Sequence, residues 1–327
     1  MNTRHVIIAV IVALIMGGLS LAFGRFGAYL VNAVAIAGIG ALSLNVLIGY
    51  CGQISFAQGA LLGVGAYAAG NLSNAGSGGL LAIVGAGVIA ACVSALIGTP
   101  ALRLRGLYFA IATLAAQAIL EYLFKTIEPL TSGISGLVIK PTTVAGFPMT
   151  SDQSLAALSI ILLLITWLAV SQFMRTNLGR AFLVVRESEI VAKGMGIDVA
   201  HTKMWAFLIS GFIAGVAGGL AGFTNRLASP EAFTLDLSAD YIAMIIVGGL
   251  GTWAGPIVGA AFVVLLPEAI QRAGEAANIS GILSALREMA FGLLIILFLI
   301  FEPRGLVALL SRLKPGAPRI AVAAPGK

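Results

Sequence analysis

The sequence predicts an all-α membrane protein, a polytopic bundle of about ten transmembrane helices with both termini cytoplasmic. Three observations carry this expectation. Of 327 residues, 59% are hydrophobic and only 10% are charged, whereas an ordinary soluble domain carries about 25% charged residues. Apolar runs recur from Val6 to Phe301 with no long polar interval, so one membrane domain fits better than the two soluble domains that length alone would suggest. The basic residues also segregate to one side of these runs.

A helix that crosses the hydrocarbon core needs about 20 mostly apolar residues. Its backbone must satisfy its own hydrogen bonds, and these runs are too long and continuous for barrel strands. Spans fall near 6–23, 28–48, 54–71, 80–100, 106–124, 155–173, 204–224, 236–250, 254–271 and 287–302. The eighth is short enough to be tilted, broken or re-entrant, which would leave eight or nine. At the N-terminus, Arg4 and His5 precede the first run, and Ser20-Leu21-Ala22 weakly resembles a cleavage site. Retaining that run as an uncleaved first span keeps the charge pattern consistent.

With the N-terminus inside, 13 of the 19 Lys and Arg residues fall on the inner side, as cytoplasmic segments require. Most acids fall outside, including Glu128, Asp152, Glu231, Asp236 and Glu275. The net charge of +6 therefore follows topology and does not suggest a nucleic-acid partner. Two cytoplasmic termini require an even number of crossings. The membrane domain is expected over 1–312, and 313–327, mixing Pro, Gly, Ala and basic residues without periodicity, is expected as a flexible cytoplasmic tail.

Neither Cys51 nor Cys92 has metal-ligand neighbours at a useful spacing, so both are read as buried free thiols. Glycines at small-x-x-x-small spacing, as in Gly59…Gly63 and Gly211…Gly215…Gly219, suit helix backbones in close contact. No G-x-x-x-x-G-K-[ST] motif occurs; if ATP is used, another subunit binds it. The ionisable residues Glu121, Asp240, Glu268 and Glu288 lie toward outer span ends, and no Asp, Glu or His lies mid-span. That placement argues against a proton relay.

Three segments stand out. From Arg180 to Lys193 charges alternate with apolar positions without Pro or Gly, and Gly194 and Gly196 follow. This spacing predicts one short amphipathic cytoplasmic helix ended by glycine, serving either a partner or only as a topology anchor. Asn45, Gln53, Ser55 and Gln58 cluster where spans two and three join; their polar groups either tie helix ends together or line a polar path. The run Gly248-Gly249-Leu-Gly251-Thr-Trp-Ala-Gly255-Pro256 reads as a tight inter-helix turn rather than a phosphate loop.

Taken in order, these motifs resemble the permease subunits of bacterial branched-chain amino-acid ABC importers, the LivM-type family. The resemblance rests on Asn45-x-x-x-Gly49-Tyr50-x-Gly52-Gln53-x-Ser55, Arg103-x-Arg105-Gly106-Leu107-Tyr108-Phe109-Ala110, Gly133-x-x-Gly136-Leu137, Gly179-Arg180-Ala181 through Gly196-Ile197, Gly248-Gly249-x-Gly251 and Glu302-Pro303-Arg304-Gly305-Leu306. It covers roughly residues 25–310.

The resemblance implies a multi-pass subunit of the bacterial cytoplasmic membrane without catalytic residues, cofactor or metal of its own. It implies a second permease, expected to be a paralogue, two ATPase subunits beneath and a substrate-binding protein above. The segment at about 177–200 becomes the coupling segment, with Arg180, Arg186, Glu187, Glu189 and Lys193 at or beside the ATPase groove. Asn45, Gln53, Ser55 and Gln58 become candidates for the translocation path. Glu128, Lys140, Glu231 and Asp236 become candidates for docking the binding protein. The competing expectations are a permease of the same scaffold for urea or short amides, and a stand-alone channel or secondary carrier.

Overall fold

The structure, a computed structural model, describes residues 3–102, 104, 106–141, 143–144, 147–148, 151–276, 292 and 305–307. The expected span at 287–302 apart from Gly292, with Glu288, and the tail, Arg103, Arg105 and Glu302 to Arg304 lie outside the described residues.

Among the described residues the chain is almost wholly helical. Helices α1 (Thr3–Ala22) and α2 (Gly24–Leu44) are followed by a π-helical turn, Asn45–Tyr50, and then by α3 (Gln58–Asn74), α4 (Gly79–Gly98) and α5 (Leu107–Thr126). A short α6 (Glu128–Thr131) leads to α7 (Asp152–Phe173), α8 (Asn177–Glu187) and α9 (Glu189–Gly194). The long α10 (Val199–Asn225), α11 (Leu235–Gly248) and α12 (Gly255–Ala276) follow. Among the described residues, paired strands occur only at the loop end of the bundle. There β1 (Leu137–Val138) pairs antiparallel with β4 (Leu227–Ala228), and β2 (Thr143–Val144) pairs with β3 (Phe147–Pro148).

Among the described residues, six helices are long and apolar enough to cross a membrane: α2 with its π turn, α4, α5, α7, α10, and α12 as far as Arg272. Helices α3 and α11, at 17 and 14 residues, extend about 25 Å and 21 Å at 1.5 Å per residue, less than a hydrocarbon core of about 30 Å. The third span starts four residues later than its hydropathy suggests. Gly52 turns the chain at φ +74°, and residues 51–57 are not helical.

Burial orders the bundle. The apolar windows of α2 and α10 are 94% and 78% buried, against 28% for α5, so α2 and α10 form the centre and α5 the periphery. On α5, Leu107, Tyr108, Ile119 and Tyr122 are exposed, as on a surface that faces lipid or another subunit.

The centre is closed by missing side chains. A Cβ on Gly218 of α10 would lie 1.9 Å from the Leu62 carbonyl oxygen of α3, and one on Gly65 of α3 would lie 2.4 Å from the Gly215 oxygen. Hydroxyls and amides tie α10 to α2 and α4 across the apolar interior, where packing and hydrogen bonds take the place of water exclusion. Ser43 Oγ donates to the Ser210 carbonyl at 2.7 Å, Ser94 Oγ to the Phe207 carbonyl at 2.7 Å, and Asn32 Nδ2 to Thr224 Oγ1 at 2.9 Å.

Gly218→Val is therefore expected to separate α3 from α10 and to lower stability by about 3 kcal/mol, the upper range for overpacking. Gly17→Ala, where a Cβ meets nothing within 4 Å, is expected to be neutral. Thermal size-exclusion profiles in detergent check both.

Candidate functional site

The amphipathic segment folds as two helices, where the sequence predicts one. Thr176 starts α8 by accepting from Gly179 N at 3.2 Å. Ser188 then adopts extended backbone, φ −163° and ψ 118°, and its Oγ accepts from Val191 N at 3.4 Å to start α9. Asp198 does the same for α10, accepting from His201 N at 3.1 Å. Serine breaks the run because its side chain satisfies donors that a continuing helix would take from its own carbonyls. The glycine ending is as the spacing predicts: Gly196, at φ +77°, follows α9, and Ile197 N bonds back to the Ala192 oxygen at 2.9 Å.

One face of this pair is buried through Phe182, Val185 and Ala192. The opposite face presents Leu183, Ile190, Val191 and Met195, with Ile190 78% and Met195 68% exposed. Arg180, Glu187 and Lys193 are also exposed and flank these apolar side chains. Arg186, itself exposed, and the half-buried Glu189 reach back to the bundle. Glu189 pairs with the buried Lys203 of α10 at 2.6 Å, and the Arg186 guanidinium donates to the Gly49 carbonyl.

That last contact closes a junction of four sequence motifs. Asn45 Oδ1 accepts from Gly251 N at 2.9 Å and Asn45 Nδ2 donates to the Thr252 carbonyl at 3.2 Å, joining the π turn to the glycine-rich turn. Gly52 and Gly251 have φ of +74° and +72°, where a Cβ is strained. A Cβ on Gly251 would also meet Arg186 Nη1 at 2.6 Å, and one on Gly305 would meet Gly249 Cα at 2.4 Å. Thr252 Oγ1 accepts from Gly255 N at 3.1 Å and so starts α12. Trp167 stacks on Trp253 with centroids 4.2 Å apart and donates to its carbonyl at 2.8 Å. The glycine-rich run is thus an inter-helix turn, joined to the π turn through Asn45.

Cys51 sits beside this junction. Burial pushes its thiol up to about 12, with Lys203 lowering and Glu189 raising it. It is a buried free thiol, as expected, whereas Cys92 is exposed on α4, a correction that arises because helical period alone does not say which face a neighbouring helix covers.

The remaining polar candidates gather at the start of α3. Phe56 N donates to Thr113 Oγ1 at 3.0 Å, Gly59 N to Ser238 Oγ at 2.7 Å and Ala60 N to Gln117 Oε1 at 2.8 Å. Groups from α5 and α11 thereby satisfy donors that a helix start leaves without partners. Gln58 Nε2 donates to the Gly40 carbonyl at 3.0 Å, Ser55 Oγ accepts from Ala57 N at 3.3 Å, and Gln53 is buried beside them. Helix ends are therefore tied by Asn45, Ser55 and Gln58, while Gln58 Oε1 stays buried without a hydrogen bond. Thr113, Gln117 and Ser238 escaped the sequence reading, since a lone polar residue in an apolar run carries no positional signal.

At the loop end Glu128, Lys140, Glu231 and Asp236 are all exposed. Gly133 and Gly136, with φ of +61° and +75°, form the turn before β1, and a Cβ on Gly136 would meet the Ala228 oxygen at 2.7 Å.

Cys51 gives a direct probe of the junction. Burial keeps the Cys51 thiol protonated at pH 8, so maleimide labelling of the native chain is expected to be very slow. Arg186→Ala is expected to speed it at least about tenfold by admitting water. Mass spectrometry of the labelled peptide checks this.

Residues 27–299 match the family model described as the branched-chain amino acid transport system permease component. The high-affinity branched-chain amino acid transport system permease protein LivM of Escherichia coli (strain K12) is 29% identical over 306 residues, covering 85% of this chain and 70% of that protein. Its counterpart in Salmonella typhimurium is 30% identical over 81% of this chain and 66% of its own length. The probable branched-chain amino acid transport permease protein LivH of Methanocaldococcus jannaschii is 31% identical over 46% of this chain and 48% of that protein. No solved structure matches the chain. On the match across 27–299, the chain belongs to the family of permease components of branched-chain amino acid transport systems.

Proposed function

We propose that this chain is the membrane-spanning permease of an ATP-binding-cassette importer that moves branched-chain amino acids into the cytoplasm, with ATP hydrolysed on separate subunits. The observation that carries this reading is the α8–α9 pair: exposed apolar side chains on one face and Arg186 and Glu189 anchored in the bundle on the other. A partner that grips Ile190, Val191 and Met195 would move Arg186 and, through it, the π turn and the glycine-rich turn. Packed elements pass on such a shift as rigid bodies.

In this reading the α8–α9 end is cytoplasmic, both termini lie on that side, and α1, α3, α11 and the 287–302 segment complete ten crossings in the bacterial cytoplasmic membrane. Arg180, Glu187 and Lys193 flank the ATPase contact. Glu128, Lys140, Glu231 and Asp236 meet a substrate-binding protein on the outer face. Asn45, Gln53, Ser55 and Gln58 lie along or beside the path. A second permease completes the pair; similarity to relatives named both LivM and LivH favours a paralogue.

Reconstitution tests the reading. The chain with partner permease, two ATPases and binding protein is expected to take up labelled leucine into proteoliposomes only with ATP. Uptake by the chain alone, without ATPases, would contradict it. Ile190→Asp with Val191→Asp is expected to weaken ATPase co-purification at least about tenfold, the effect of losing about 1.4 kcal/mol at a contact centre, while the membrane domain still elutes as a folded particle. Glu187→Lys is expected to weaken it less. Binding-protein affinity is expected to fall as salt is raised, because exposed charge pairs are screened; an affinity indifferent to salt would remove the outer acids from that contact.

A further inference from the structure

Helices α1 and α12 both pack on α2, and a groove of about 460 Å³ runs between them, within the size range of clefts that hold small ligands. Met16, Val31 and Val34 form its buried floor, while Leu19 and Leu265 stand exposed on its two rims. Arg272 apart, every described residue that lines it is apolar. Along α12 the groove extends from Ile257 to Arg272, about 22 Å at 1.5 Å per residue. One leaflet contributes about 15 Å of hydrocarbon, half of the core, so a whole acyl chain fits along it.

A second observation comes from the charge at the mouth. The apolar length of α12 runs from Gly255 to Arg272 and rises about 27 Å, close to the hydrocarbon thickness of about 30 Å. The Arg272 side chain therefore stands at headgroup level, at the loop end. Its guanidinium lies 3.9 Å over the ring of Phe26, which also lines the groove. This cation–π contact holds in place a side chain that would otherwise extend into water. Stacking covers one face of a guanidinium and leaves its in-plane N–H donors for a phosphate. Glu268, one turn earlier, lines a separate cavity between α2, α10, α11 and α12, and neither Asp nor Glu is among the described residues of the groove.

We propose that this groove holds one anionic phospholipid, with an acyl chain laid over α2 and the phosphate on Arg272. A net negative headgroup is favoured over a zwitterionic one because the groove offers a cation and, among the described residues, no carboxylate to receive an ammonium. The bound lipid would tie α1 to α12. Because α12 starts from the glycine-rich turn through Thr252, it would also brace the frame in which that turn sits. The proposal needs only a chain embedded in a membrane and stands apart from the import reading.

The full chain, assembled with its partner subunits, is placed in nanodiscs of equal phosphatidylglycerol and phosphatidylcholine, with Leu265 replaced by the photo-crosslinker benzoylphenylalanine. Illumination is expected to leave a lipid adduct on that peptide, and mass spectrometry to show phosphatidylglycerol about tenfold over phosphatidylcholine, the ratio that about 1.4 kcal/mol gives. Arg272→Gln is expected to bring the two lipids to parity, and Arg272→Lys to keep most of the preference. Arg25→Gln, at an exposed position outside the groove, is expected to leave it unchanged. Ala261→Trp, which fills the groove, is expected to lower both adducts. An adduct with residues 287–302 or with the partner permease in place of lipid would overturn the proposal. So would the absence of any lipid adduct, equal labelling by the two lipids in the chain with Arg272 intact, or a preference that survives Arg272→Gln.

Discussion

The hydrogen bond from Arg186 to the Gly49 carbonyl is the contact on which the arrangement of this protein turns. A guanidinium is always charged and carries five donors in a rigid fork, so it can hold an exposed helix to backbone without a carboxylate partner. The backbone is available because residues 45–50 form a π turn, and three glycines leave room for the side chain. Gly49, Gly52 and Gly251 are each crowded by Asn45, Arg186 or one another, so any Cβ there would displace the junction. Asn45 then fixes the glycine-rich turn to the same point, and Thr252 begins α12 from it.

This junction has a counterpart inside the bundle. Helices α3 and α11 are both short, and their N-terminal turns meet through Gly59 and Ser238. Gln117 of α5 bridges them by accepting from Ala60 N and donating to the Phe233 carbonyl. Two short helices that start against each other expose backbone donors at depth, which is tolerated only where protein supplies partners. From these starts the chain runs toward opposite ends: α11 toward the glycine-rich turn, α3 toward the loop end, where Asn74 holds the backbone of Val138 and Lys140. A cavity of about 790 Å³ lined by Asp236, Asp240 and Glu268 opens beside the first two turns of α11. A displacement of the α8–α9 pair therefore has a continuous packed route, through the glycine-rich turn and α11, to the cavity wall.

Much of the fold is legible in hydropathy, because crossing a membrane imposes a length that apolar runs report directly. The expected span at 204–224 falls within α10, that at 254–271 falls within α12 but for its first residue, and the short eighth span appears as the 14 residues of α11. The glycine motifs are legible as sites of close approach, although not with their partners. The direction of individual side chains is not legible. Arg186 and Glu187 look equivalent in the sequence, yet one reaches Gly49 and the other faces solvent. Alternation marks an amphipathic helix without saying which face the bundle covers, so the exposed Ile190, Val191 and Met195 pass for its buried side. Ser188 breaks the helix through a local hydrogen bond that periodicity cannot register. Asp236, Asp240 and Glu268 can each be picked out as charges near span ends, but that they share one cavity depends on how α11 packs against α12.

Hydrogen exchange measured by mass spectrometry tests the central claim most directly, because it reads the backbone of all three segments at once. If Arg186 holds the α8–α9 pair and both turns as one unit, Arg186→Ala raises exchange together in peptides covering 177–194, 45–55 and 248–254, and leaves the α3–α10 contact protected. A rise confined to 177–194, with both turns unchanged, would contradict the account.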